Sequence, residues 1–508
     1  MSTSSINSLL SSLLNSNTTS SLTGNTTTNS ALEAIQTAVN SILNSATNTS
    51  GSGIDVTATV DAILEADAVP EENLQNQETT LNTQTAALKT IESDLEAFQT
   101  SVQALSDPAG ALDAVDVTSS NDDVLSATAA NGTATGTHTI TVSSLATTAA
   151  VYSADFSSAS ATLPTGSFDI LVGPESDTNQ PVPIPVDSTD GTDTLNGLAT
   201  YINQQDLGVT ASVITDAGGA RLALVSQTSG AAGAVTTSSD TTGSGDGMGF
   251  TQATDANGNP LGTNASLTVD GIPITSASNT VTGVIPGVTL TLSGVSSSPV
   301  TIAIQPDLTQ VSTAINNFVS SYNTVMNDIN AQYSYDGSSS STVPPLLGDP
   351  SLDLLQQQLL DGISTSLSGN DGAVNLQSIG IQLQADGTLV VQATTSKDSM
   401  PLDDALANDF SAVQNLFQSP SGVAQTLNTA LTSLTNSVTG PLNVDMTNIG
   451  GEVTDLNSQI SDFQANLQTQ QQQLTTEYAN INTTLEQLPE TLAAINSELD
   501  ALNPQNPT

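Results

Sequence analysis

His138 is the only imidazole in this 508-residue chain. A Ser–His–Asp relay would have to be built around it. It stands in Thr137-His138-Thr139-Ile140-Thr141-Val142, the alternation of a strand, which predicts a structural or surface role. Fifty Asp and Glu could contain the carboxyl pair of a glycosidase, but there is no Trp to stack on a sugar ring. Asp255-Ala256-Asn257-Gly258 opens like a calcium loop, yet the twelfth position, where such a loop needs a bidentate Glu, is Ser266. It reads as a solvated turn. No Lys follows a glycine-rich stretch in the way a phosphate loop requires. With no Cys there is no disulfide, thiol nucleophile or Cys-ligated zinc. The expectation is a protein that is not an enzyme and has no cofactor and no metal.

The charge balance narrows the partners. Lys89, Arg221 and Lys397 face 50 acidic residues, for a formal charge of −47. Three bases cannot neutralise a row of phosphates, so nucleic acid is excluded as a partner. They cannot form a basic patch for an anionic membrane either. No apolar run is long enough to insert into a membrane. Residues 1–50 lack the basic and apolar regions of a cleaved signal peptide and are expected to be disordered. Within them Leu32, Ile35, Val39 and Ile42 could form one short amphipathic set.

What must position any functional surface is a pair of helical ends. Leu74, Leu81, Leu88, Ile91, Leu95, Phe98, Val102 and Leu105 step by 7, 7, 3, 4, 3, 4 and 3 until Asp107-Pro108 stops the helix. The C-terminal pattern is longer. Val453, Leu456, Ile460, Phe463, Leu467, Leu474, Tyr478, Ile481, Leu485, Leu488, Leu492, Ile495, Leu499 and Leu502 recur almost wholly at 3 and 4. Pro489 is expected to kink that helix or end it. Residues 109–305 alternate strand-like runs with Gly, Asn, Asp and Ser clusters, interrupted by one helix at 194–205. Helical stripes return at 311–329 and 352–363, then a hairpin turning at Asp386-Gly387, then a helix over 403–417. The fold class predicted is α+β multidomain, with long terminal helices paired as a coiled-coil or bundle stalk and an inserted β-rich head of two subdomains.

The candidate site is therefore an interface. Its residues are Leu81, Leu88, Ile91, Leu95, Phe98, Val102 and Leu105 on the first seam. On the second they are Leu456, Ile460, Phe463, Leu467, Leu474, Tyr478, Ile481 and Leu485. The seams lack the Lys/Glu pairs that usually flank a coiled coil. They could close on each other within one chain, or assemble several chains, and both can hold at once.

Several segments, in order, resemble the flagellar filament capping protein family, also called hook-associated protein 2. SGIDVTATVDAIL (52–64) is similar to the family's opening, and LNTQTAALKTIESDLEAFQTSVQAL (81–105) to its first long helix. GTHTITVSSLA (136–146) looks like its first head strands. GSFDILVG (166–173), 194–213 with Ile202-Asn203 and Gly208-Val209-Thr210-Ala211, and 221–233 resemble the small module shared by flagellin-type proteins. SLTVDGIPITSASNTVTGVIPGVTLTLSG (266–294) is the most specific piece, with Asp270-Gly271, Ser278-Asn279 and Pro286-Gly287-Val288-Thr289-Leu290. Segments 318–330, 345–359, 378–391 and 403–417 follow in the family's order. The first 50 residues have no counterpart, and the C-terminal helix is richer in Gln, Asn and Thr than is usual.

Composition sets apart a disordered, export-signal-like extension (1–50); pattern and resemblance together then divide the chain into an N-terminal helical leg (51–107) and a head. The head comprises a first part (108–160), an inserted subdomain (161–260) and a second part (261–305). A helical leg domain with a small hairpin (306–440) and a C-terminal coiled-coil helix (441–508) complete it. The resemblance also implies a non-enzymatic cap at the distal filament tip that forms a ring-like homo-oligomer and assists flagellin folding and insertion. The implied partners are its own copies, flagellin, the filament tip or hook-associated proteins, and an export chaperone. The implied location is extracellular, reached by type III export without signal cleavage. Some family members also serve in adhesion. Another axial flagellar protein (flagellin or a hook–filament junction protein) and a secreted β-rich adhesin are the competing readings.

A ring of such chains would repel itself at neutral pH, with few bases to offset the charge. Near pH 3 most carboxyls are protonated. The composition thus leads us to expect an extracellular surface suited to acid.

Overall fold

The computed structural model describes residues 55–502, apart from 177, 239, 241–246, 336, 338–341, 371 and 394–398. The expectations for residues 1–50, including Leu32, Ile35, Val39 and Ile42, lie outside the described residues, as does Lys397.

The chain opens with α1 (Val56–Asp67), whose N-cap Asp55 accepts from the Ala58 amide at 3.0 Å. α2 (Val69–Ser106) follows, with Glu71 and Glu72 in its first turn, where the helix dipole favours acids. Pro70 therefore sits inside the first turn of a helix, where its missing N–H is harmless. Strands β1 (Val115–Ser119), β2 (Leu125–Ala129), β3 (Gly136–Ser144), β4 (Thr148–Tyr152), β5 (Gly166–Val172) and β6 (Val182–Val186) come next. α3 (Leu195–Gln204) begins at Thr194, whose hydroxyl accepts from the Gly197 amide. Then come β7 (Val209–Asp216), β8 (Gly219–Ser229), β9 (Val235–Ser238), β10 (Thr251–Gln252), β11 (Ala265–Val269) and β12 (Ile272–Ser276). β13 (Thr280–Thr282), β14 (Val288–Leu292) and β15 (Val300–Pro306) complete the series. Helices α4 (Leu308–Tyr333) and α5 (Pro350–Ile363) lead to the hairpin β16 (Ile381–Leu383) and β17 (Leu389–Val391). The last elements are α6 (Leu402–Asn408), α7 (Phe410–Gln418), α8 (Val423–Leu434) and α9 (Pro441–Leu502).

Two compact units divide the chain. The first takes the described parts of Met1–Glu96, Thr324–Gln358 and Ala430–Thr508. It is helical, and its core holds Leu88, Ile91, Leu95, Val325, Met326, Ile329, Leu352, Leu355, Leu431, Leu434 and Leu442. The second takes Ala97–Asn323 and Leu359–Thr429 and holds all the strands named above.

In the second unit β1–β15 form two antiparallel sandwiches, and β16 and β17 a separate hairpin. One packs a five-stranded sheet, β1-β15-β3-β11-β12, on a three-stranded one, β13-β14-β2. Ile140, Val142, Leu267, Leu290 and Ile302 fill the space between them, each inward-facing because strand side chains alternate. The other pairs β10-β4-β8-β7 with β6-β5-β9 and lays α3 against them. β4, which precedes the expected inserted subdomain, pairs with β8 and contributes Ala149 and Val151 to this second core. Asp270 and Gly271 form the two-residue turn between β11 and β12. Their φ values are +50° and +82°, the left-handed pair that such a hairpin demands. The helical part of the second unit centres on an aromatic cluster: Phe318 meets Phe98 at 5.5 Å and Phe417 at 5.9 Å between ring centroids.

One expectation is corrected, and at Pro489 one of the two expected outcomes is excluded. The 403–417 stretch is two helices, α6 and α7, broken at Asp409, whose φ of −148° and ψ of 55° leave the helical region. Pro489 does not end the C-terminal helix; α9 runs through it. Proline frees the carbonyl four residues earlier, that of Leu485, a residue 43% exposed.

Candidate assembly surface on the helical unit

The helical unit is built on an antiparallel pairing of α1 and α2 with α9. Its register is written in three side-chain contacts. Asn443 Nδ2 donates to Glu92, Gln464 Nε2 to Glu71, and Gln470 Nε2 to Asp67, each at 2.6 Å. Moving back along the first helices is matched by moving forward along α9. Each contact joins an amide to a carboxylate, in the place where a Lys/Glu pair would usually sit. Between the contacts lies a groove of about 830 Å³ lined by Asn73, Asn76, Gln77, Thr80, Leu81, Glu452, Asp455, Leu456 and Gln459. Its lining is amides, a hydroxyl and carboxylates, together with Leu81 and Leu456.

The structure places the predicted interface residues in three environments. Leu88, Ile91 and Leu95 are buried in the first unit, and Phe98, Val102 and Leu105 in the second. Such residues are packed by their own chain. Leu456 and Ile460 are buried, at 8% exposure each, while Leu81, Phe463, Leu467, Leu474 and Tyr478 are half-buried. Ile481 and Leu485 are exposed, and the same stripe continues as exposed Leu488, Leu492 and Ile495. An unbroken spacing of 3 and 4 thus spans positions with very different surroundings.

Carboxyl groups give this unit its electrostatics. Asp94 on α2 shares a hydrogen bond with Asp328 on α4; burial first, then that bond and the neighbouring charge, push its pKa up to about 6. Asp349 is also raised, by burial and then by the Asp445 and Asp353 charges, against hydrogen bonds from Ser351 that lower it. Ser351 donates its hydroxyl to Asp445, and the Tyr333 hydroxyl donates to Asp353 at 2.6 Å. Burial raises the Tyr333 phenol, and hydrogen bonding to Asp353 adds to it.

The residues considered for chemistry have structural partners. His138 Nδ1 lies 2.8 Å from the Asp270 carboxylate, which also accepts from the Thr139 amide at 2.8 Å; these bonds hold Asp270 below the usual carboxylate range. Asp255 accepts from the amides of Asn257 and Asn259 and from the Asn259 side chain, so its own loop engages both oxygens. Among the described residues no three His, Asp or Glu side chains gather closely enough to hold a metal. No described helix is long and apolar enough to cross a membrane.

Asparagines supply a latch that pattern-reading missed. Asn203, in the Ile202-Asn203 pair of α3, donates to the Ala211 carbonyl and accepts from the Ala211 amide, both at 2.8 Å, fixing α3 to β7. Asn279 does the same to Ala146, and Asn323 to Leu389. One amide side chain thereby imitates a paired strand residue. The signal was present as Ile-Asn and Ser-Asn dipeptides, but only the fold shows what they hold.

Helical segments and two antiparallel sandwiches, one containing an Asn-latched helix, define a multidomain α+β protein. Residues 173–228 match the profile of the flagellin hook IN motif. Residues 52–149 and 262–490 match the flagellar hook-associated protein 2 N-terminus and C-terminus. The B-type flagellar hook-associated protein 2 of Pseudomonas aeruginosa is 31% identical over 395 residues, covering 73% of this chain and 80% of that one. Flagellar hook-associated protein 2 of Escherichia coli K12 is 27% identical over 401 residues, 75% and 83% of the two chains. The crystal structure of the three-domain flagellar cap protein from Escherichia coli superposes with a TM-score of 0.56 at 27% identity, covering 72% of this chain and 99% of that one. The chain belongs to the flagellar hook-associated protein 2 family, and membership places it at the flagellum.

Proposed function

We propose that the protein is a non-enzymatic cap at the distal tip of the flagellar filament. Its copies form a ring-like homo-oligomer that assists flagellin folding and insertion as the filament grows. The observation that carries this reading is the 31% identity to a flagellar hook-associated protein 2 across four-fifths of that relative. The geometry is compatible with it. A protein that guides subunits without covalent chemistry needs surfaces that hold and release. The helical unit offers apolar positions graded from buried to exposed along α9.

In this reading segments 51–107, 306–440 and 441–508 act as the leg and 108–305 as the head, with 161–260 inserted in it. The seam residues from Leu81 to Leu105 and Leu456 to Leu485 are the leg and oligomer interface. Helical stability comes mostly from packing, so such a leg passes an export channel unfolded and folds once its partners are met. An export chaperone, flagellin and the filament tip or hook-associated proteins are the partners. The secreted, extracellular location follows from export through the flagellar channel without a cleaved signal.

Deletion of the gene tests the reading. Cells lacking the protein should release unpolymerised flagellin into the medium and carry no filaments under the electron microscope. Filaments of normal length and number in the deletion strain would overturn it.

A further inference from the structure

Two kinds of joint hold the helical unit together, and they answer protons differently. α1 and α2 meet α9 through carboxamides: Asn443 on Glu92, Gln464 on Glu71 and Gln470 on Asp67. An amide N–H bonds an ionised or a neutral carboxyl group. The end of α4 and the start of α5 are instead fastened to α2 and α9 by acids. On one flank Asp328 of α4 shares a hydrogen bond with Asp94 of α2. Two carboxyl groups can share such a bond only while one of them carries a proton. On the other flank Ser351 of α5 bridges two acids. Its amide donates to Asp349 at 2.8 Å and its hydroxyl to Asp445 of α9. Asp353, further along α5, accepts from Tyr333 of α4 at 2.6 Å.

No base offsets these acids. Asp328 faces Asp94 from α4, and Asp445 and Asp353 act on Asp349 from α9 and from α5 itself. The sequence places one base in the helical unit, Lys89, and it is exposed. Burial first, then the neighbouring acids, raise both Asp94 and Asp349. The folded unit therefore binds both protons more tightly than the unfolded chain does. Their contribution to stability is fully present below about pH 4 and falls as the pH rises through the folded values. For Asp94 that value is about 6.

α4 and α5 are also tied to each other. Besides the Tyr333–Asp353 bond, Gln332 accepts from the Leu346 amide at 3.2 Å. Val325, Met326 and Ile329 on α4 and Leu352 and Leu355 on α5 are buried together in the core of this unit. We propose that the α4 and α5 ends form a proton-operated clasp, which closes on α2 and α9 in acid and loosens as one body at neutral pH while the amide joints of α9 stay made. It is independent of the role at the filament tip.

Amide exchange of the full-length chain, corrected for the intrinsic rate at each pH, tests this at pH 4.5 and 7.5. Protection of residues 325–333 and 351–358 should fall by about tenfold on going to pH 7.5, and that of residues 456–470 by less than about twofold. Asp349→Asn keeps a residue suited to the helix N-cap and removes the acid. At pH 7.5 it should raise protection by about threefold in 351–358 and also in 325–333, on the helix it does not belong to. Asp61→Asn removes one charge from an exposed position on α1 and should change neither. An equal fall in 456–470, or an equal gain from Asp61→Asn, would assign the effect to repulsion of the whole charge and overturn the proposal. So would protection that does not depend on pH, or an Asp349→Asn response confined to 351–358.

Discussion

Asp328→Asn should strengthen the helical unit at neutral pH and leave it nearly unchanged in mild acid. Asp94 and Asp328 share one hydrogen bond between α2 and α4, and Asp94 is raised from 3.8 to about 6. Lys89 is the base nearest in sequence, but five residues along a helix turn it about 140° away. Each pKa unit is worth about 1.4 kcal/mol, so the full shift corresponds to ~3 kcal/mol. Burial, the largest cause, is untouched by the substitution, and Asp94 is only half-buried, so after solvent screening the part that Asp328 controls is ~1 kcal/mol. The sign follows from proton binding. The folded unit holds this proton more tightly than the unfolded chain does, so stability is fully present below about pH 4. It falls as pH rises through about 6. Asn at 328 removes the competing charge and donates its amide to the Asp94 carboxylate, so the second and third causes of the shift go while burial, the largest, stays. Amide exchange in α4 reads this directly, because the variant-to-wild-type ratio at each pH cancels the intrinsic pH dependence. Residues 324–333 should exchange about fivefold more slowly in the variant at pH 7.5, with a ratio near one at pH 4. A ratio that does not change with pH would refute the shared-proton account.

Phe318→Ala removes the ring that links Phe98 and Phe417, all three fully buried. It should destabilise the second unit by ~3–5 kcal/mol, read as an early loss of near-UV aromatic dichroism on urea titration. Asn203→Ala leaves the Ala211 amide and carbonyl without their side-chain partner. A loss of ~1–2 kcal/mol, seen as faster amide exchange in β7, is expected. Pro489→Ala restores a backbone hydrogen bond in α9 and removes a residue worth ~3 kcal/mol against the helix, so exchange around residues 485–495 should slow. Gln470→Lys replaces the amide bound to Asp67 by a charge. The contact should become salt-sensitive, with α1 protection falling as sodium chloride is raised.

The terminal helices were legible because their apolar residues keep a strict 3-and-4 spacing over many turns. The hairpin turns were legible because Asp-Gly pairs at 270 and 386 have few conformations to choose from. Pattern does not tell which part of a stripe is covered. Leu456 and Leu488 occupy equivalent steps, yet one is 8% exposed and the other 50%. Spacing records amphipathicity, whereas coverage depends on where the partner helix begins. The sheet joined by β4 was hidden for a similar reason, since alternation marks a strand but not its neighbour. α8 went unread; its Val423, Leu427, Leu431 and Leu434 sit among Thr, Ser and Asn that also suit loops. The shared proton of Asp94 and Asp328 could not be seen at all, because the two residues are far apart in sequence and neither has a distinctive flank.

The least legible feature answers the question posed by the charge balance. A chain with three bases must join acidic helices without salt bridges. It does so with amides: Asn443, Gln464 and Gln470 donate to Glu92, Glu71 and Asp67 in the first unit. Gln414 and Gln418 both donate to Asp113 in the second. An ion pair dissolves when its carboxylate is protonated, because the Coulomb attraction goes with the charge. An amide N–H still finds an acceptor in a neutral carboxyl group, whose carbonyl oxygen keeps its lone pairs. Carboxyl pairs such as Asp94 with Asp328 gain from protonation. Amide-to-carboxyl contacts that tolerate acid and carboxyl pairs that favour it therefore act in the same direction. The Gln and Asn flanking the seams supply the donors that Lys and Arg would otherwise provide. That arrangement suits helix contacts to a pH range in which salt bridges would be lost.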